Sequence, residues 1–68
     1  MKQKSLMKLA NKIAELEHII QTSKDKKEVA KAQDAITTLA MSVPLGLKDM
    51  VALDEMIQEI YEKKYSNS

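Results

Sequence analysis

The sequence predicts an all-α fold: a small three-helix up-down-up bundle, with a homodimer left open beside the monomer. Three observations carry that expectation. Apolar residues recur at alternating steps of three and four along three separate stretches, the spacing of one face of a helix. The chain of 68 residues holds one glycine and one proline, too little turn chemistry for an all-β fold. Hydrophobic residues make up 44% and charged residues 31%, close to the averages of globular domains, so a disordered chain is not the default. At this length the whole chain, 1–68, reads as a single domain.

The first helix is expected over about 4–22. Its seam is Leu6, Leu9, Ile13, Leu16 and Ile20, and nothing in the stretch breaks a helix. The polar run Thr22-Ser23-Lys24-Asp25 interrupts the seam. Asp25 followed by Glu28 matches a capping arrangement, with Ser23 as a rival cap. A turn this tight sets the second helix antiparallel to the first.

The second helix is expected over about 26–42, with the seam Val29, Ala32, Ile36, Leu39 and Val43 and a slim profile from its alanines. Pro44 stops it, because proline lacks an N–H and pushes the preceding residue out of the α region. Gly46 in the following link is free to take a positive φ. Leu45 and Leu47 beside it either plug the end of the bundle or form a hydrophobic docking loop. The third helix is expected over about 48–64, with the seam Met50, Leu53, Ile57 and Ile60. Asp49 suits the positive end of its dipole, Lys63 and Lys64 the negative end, and 65–68 should fray.

A chain this short buries only about 60% of the surface it exposes when unfolded, so a lone bundle has a thin core. Several apolar residues also fall outside the seams. With each seam taken as heptad positions a and d, Met7 and Ala14 fall at b and Ile19 at g of the first helix. Met41 falls at f of the second, and Val51, Met56 and Tyr61 at b, g and e of the third. Neighbouring helices in a monomer account for Ile19, Met56 and Tyr61. They account less well for Met7, Met41 and Val51, and methionine suits an adaptable contact surface.

Several chemistries are excluded or disfavoured. Without cysteine there is no disulfide, thiolate metal site or cysteine nucleophile, and the chain reads as cytoplasmic. The basic start at Lys2 and Lys4 resembles a signal peptide's first region, but Lys8, Asn11, Lys12, Glu15 and Glu17 break up the apolar run such a peptide needs next. No apolar run reaches membrane-spanning length. His18, the single histidine, sits at the solvent-facing f position with no adjacent nucleophile. Glu55, Glu59 and Glu62 share one helix face, which could hold a hard cation but reads more simply as a solvated face. No catalytic residue, cofactor or metal site is expected, and the chain is not read as an enzyme.

Charge is unevenly spread. Residues 1–31 carry eight lysines against four acids, and the remainder three lysines against six acids. Lys4, Lys8 and Lys12 form a cationic ridge at spacing four. The expected function is therefore a non-enzymatic protein–protein interaction module: an adaptor, inhibitor or regulatory accessory protein that binds another protein or itself. Met7, Met41, Val51, Met56 and Tyr61 would be its apolar contacts, with Lys4, Lys8 and Lys12 steering an acidic partner. Small lysine-rich helical proteins of this style occur among bacteria and their phages, but the style carries no residue role across. The alternative is a weak nucleic-acid binder using Lys4, Lys8, Lys12, Lys26, Lys27 and Lys31. Against it stands the absence of arginine, phenylalanine and tryptophan, the residues of guanine reading and base stacking.

Overall fold

Three helices follow one another in the computed structural model, which describes residues 2–65: α1 (Gln3–Thr22), α2 (Lys26–Ser42) and α3 (Leu47–Tyr65). No strand occurs among the described residues. The expected fraying at 66–68 lies outside them. Tyr65 does not fray: it is the last residue of α3, and its half-buried ring is packed against α1.

The ends of the helices follow from local hydrogen bonding. α1 begins without a side-chain cap and without an acid in its first turn. It closes where the Thr22 hydroxyl donates to the His18 carbonyl at 2.7 Å and the Ser23 N–H donates to the Ile19 carbonyl at 2.8 Å. Asp25 is the cap of α2, its carboxylate accepting from the Lys27 N–H at 3.0 Å. Ser23 has a different role. Its Oγ accepts the Asp25 N–H and its hydroxyl donates to Glu28 Oε2, each at 3.2 Å, so Glu28 grips the turn two residues further back than a capping box would have it.

Val43 is extended at the end of α2, as the following proline requires. The link then enters α3 with the Gly46 carbonyl accepting the Met50 N–H at 3.0 Å. The positive φ open to Gly46 is not used, and a Cβ there would meet open space. The two leucines of the link part company: Leu45 packs against the core, whereas Leu47 is exposed.

Helix α1 is the hub. It packs against both α2 and α3, while no Cα of α2 comes within 8 Å of one in α3. One helix facing two neighbours needs a broad apolar arc, and α1 has it. Leu6, Leu9, Ala10, Ile13 and Ala14 are buried, with Ala10 and Ala14 at 0% exposure. Ala14 therefore belongs to the core and not to the position outside the seam that heptad spacing gives it. Leu53 and Ile57 of α3 complete the main cluster, and Ile36, Leu39, Val43, Leu45, Ala52, Met56 and Ile60 lean on it half-buried. α2 contributes only Ala32 as a fully buried side chain.

The consequence is a loosely closed molecule. Its radius of gyration is 12.2 Å, against about 11 Å for a compact domain of this length. It exposes 5351 Å², where a folded monomer of 7.7 kDa exposes about 4,300 Å².

Candidate functional site

The first six residues of α3, Leu47 to Ala52, include none that is buried, although four of them are apolar. Leu47, Met50 and Val51 are exposed by 81%, 54% and 56%. Their spacing of three and four puts them on one face. With Asp54 and Glu55 they line an open groove whose inner wall is Leu53 and Ile57, both members of the core cluster. The core thus reaches the surface along α3. No Cα of α2 lies within 8 Å of α3, and Leu47, Met50 and Val51 are left exposed on this flank. Spacing alone assigns Met50 to the buried seam, and the absence of a facing helix is what leaves it in water.

Lys48, Asp54 and Glu55 are exposed, and none forms an ion pair among the described residues. Further along the helix Lys63 pairs with Glu59 at 3.8 Å, one turn apart and in water, a geometry that stabilises little.

The structure sorts the residues singled out from the sequence. Met41 and Met7 are exposed, by 81% and 42%. Met7 borders a second, narrower groove with Met56, Glu59, Ile60 and Lys63. Met56 is half-buried against the core, so its role is largely internal. Tyr61 is also half-buried, and its hydroxyl donates to Gln21 Oε1 at 2.9 Å, which ties α3 to the end of α1. Val51 joins Leu47 and Met50 on the exposed face; Met41 and Met7 are not part of that groove. Lys4, Lys8 and Lys12 are exposed along α1, and Lys26, Lys27 and Lys31 are exposed from the start of α2. The two lysine groups begin from opposite ends of α1.

His18 does not point to water. Its ring is half-buried, stacked on Tyr65 at 3.8 Å between centroids with an 8° interplanar angle, and meets Tyr61 edge-on at 6.1 Å. Its Nδ1 is shut off from solvent and has no hydrogen-bond partner among the described residues. Position f faces outward only when a single neighbour covers the helix. In this bundle the end of α3 lies over it, and the two tyrosines and the histidine form one cluster.

Glu55, Glu59 and Glu62 are all exposed. Among the described residues no three acidic or imidazole side chains are grouped as a metal site would need. No described helix is long and apolar enough to cross a membrane. No protein-family model, no curated protein and no solved structure matches this chain.

Proposed function

We propose that this protein acts by binding and not by catalysis, as a small helical interaction module that docks another protein, or a second copy of itself, on the exposed face of α3. The observation that carries this reading is the stripe Leu47, Met50 and Val51, apolar at helical spacing and open to water at the place where the core surfaces. Exposed apolar residues scattered singly are ordinary, but a stripe continuous with the core behaves as an interface left uncovered.

The chain connectivity we favour is up-down-up. Met7 lies beside Met56 and Ile60, and His18 beside Tyr65, a pairing in which α1 and α3 run in the same direction. The lysines of α1 serve to steer an acidic partner by long-range attraction. The two lysine groups begin from opposite ends of α1, an arrangement that favours steering over a continuous phosphate track.

The test is a triple variant, Leu47→Gln, Met50→Gln and Val51→Gln. Glutamine keeps helix propensity and removes only the apolar surface. The expected result is unchanged helicity by circular dichroism and an unchanged urea midpoint. Association should be lost, both with itself in sedimentation and with any protein retained by the immobilised parent. A variant that associates as the parent does, or one that unfolds because these residues are needed in the monomer's core, would remove the proposal.

A further inference from the structure

The face of α3 carries enough pattern to name its occupant. Resting on the reading that this face is a docking surface, we infer that the partner is a second copy of this chain, paired α3 against α3, antiparallel, across a two-fold axis level with Val51 and Ala52.

Lys48 and Glu55 are seven residues apart, so on a helix they lie within about 20° of the same line and about 10 Å apart along it. Both flank the apolar stripe, both are exposed, and neither has an ion-pair partner within the chain among the described residues. When two helices pack antiparallel about a two-fold axis, the same flank of each faces its copy. An axis midway between residues 48 and 55 falls at Val51 and Ala52. It sets Lys48 of each copy beside Glu55 of the other, two opposite-charge contacts from one repeated pair. The same operation sets Met50 of one copy level with Leu53 of the other, on the opposite flank, where Leu53 forms the inner wall of the groove at 7% exposure. Val51 meets its symmetry mate near the axis.

A self-complementary patch is what an isologous interface demands. An apolar stripe with an acid and a base repeated about one point of one helix meets that demand, with Asp54 leaving one net negative charge on the face of each copy. A helix from a second copy also shields the flank of α3 that α2 leaves bare.

Sedimentation equilibrium of the full chain from micromolar to millimolar concentration tests this, with two charge variants at exposed positions. The parent is expected to dimerise. Lys48→Glu and Glu55→Lys should each retain helicity and each weaken dimerisation about tenfold, because both symmetry-related contacts become repulsive. An equimolar mixture of the two variants should recover parent-like association, since every contact across the mixed pair is again opposite in sign. Val51→Glu, which places two like charges at the axis, should leave a monomer. The inference is overturned if the parent stays monomeric throughout, if the charge variants associate like the parent, or if mixing restores nothing. A monomeric parent that still loses a captured protein on glutamine substitution of the stripe would retire this dimer alone. A monomeric parent with no such dependence would retire the docking reading as well.

Discussion

Replacing Ala14 by leucine separates the packing of the folded chain from a reading based on heptad spacing. Spacing alone puts residue 14 outside the seam of α1, where a larger apolar residue would be tolerated. The structure gives Ala14 an exposure of 0%, within the arc of α1 that faces its two neighbours. Leucine adds three carbons where no accessible space exists. Overpacking of this kind typically costs about 1–3 kcal/mol. A domain of this length is stable by roughly 3–10 kcal/mol, so the loss is a large fraction of the total. The melting temperature should fall by about 4–8 °C for each kcal/mol. Urea denaturation followed by circular dichroism in the far ultraviolet supplies the assay, with Lys12→Leu on the exposed side of α1 as the control for adding a leucine. The control should lie within about 0.5 kcal/mol of the parent. Ala14→Leu as stable as the parent, or more so, would show that residue 14 is open to water and that the neighbours of α1 do not close over it.

Other substitutions probe the remaining joints. Asp25→Ala removes the side-chain acceptor of the Lys27 N–H at the start of α2 and should cost about 1 kcal/mol, read from the same urea curves. Gly46→Asp should stabilise the chain by a few tenths of a kcal/mol or more: φ is not positive there, a Cβ has room, and the new carboxylate can cap α3. Tyr65→Ala removes the ring stacked on His18 and should cost about 1 kcal/mol while shifting the imidazole proton resonances, since the ring current of Tyr65 acts directly on them. An unmoved His18 spectrum would place the two rings apart in solution.

The helices themselves are readable from sequence because their signals are local. Helix formers run without interruption to Thr22, Asp25 caps its own neighbour's N–H, and Pro44 cannot continue a helix. The expected spans of about 4–22, 26–42 and 48–64 differ from Gln3–Thr22, Lys26–Ser42 and Leu47–Tyr65 by no more than a residue at either end. Which faces are covered is a tertiary matter, and there spacing fails in specific places. Ala10 and Ala14 are small enough to read as neutral filler, and only the approach of neighbouring helices makes them core. Met50 fits the seam by its spacing but has no helix opposite. His18 falls at an outward position that the end of α3 happens to cover. Of the apolar residues that the sequence offers as contacts, Val51 lies on the exposed face and Tyr61 is taken up by Gln21. Met50 is hidden from a sequence reading because its spacing gives it an internal role, and Leu47 reads equally as a plug for the bundle end or as part of a docking loop. Spacing from Leu47, three residues to Met50 and four to Val51, is the signal that joins the three.

The inner and outer faces of α3 change over within a single turn, with Leu53 sheltered and Met50 in water, and the docking surface exists only if that change is real. The chain has no cysteine, so thiols introduced singly report on these two positions without background. The decisive measurement is the rate of alkylation of Met50→Cys and Leu53→Cys at dilute protein, each relative to the unfolded chain. Near-unfolded reactivity is expected for the thiol at position 50 and strong protection for the one at 53, in a protein that remains helical. Equal protection at both positions in the dilute monomer would mean that the stripe is part of the monomer's own core, and the proposed surface would not exist.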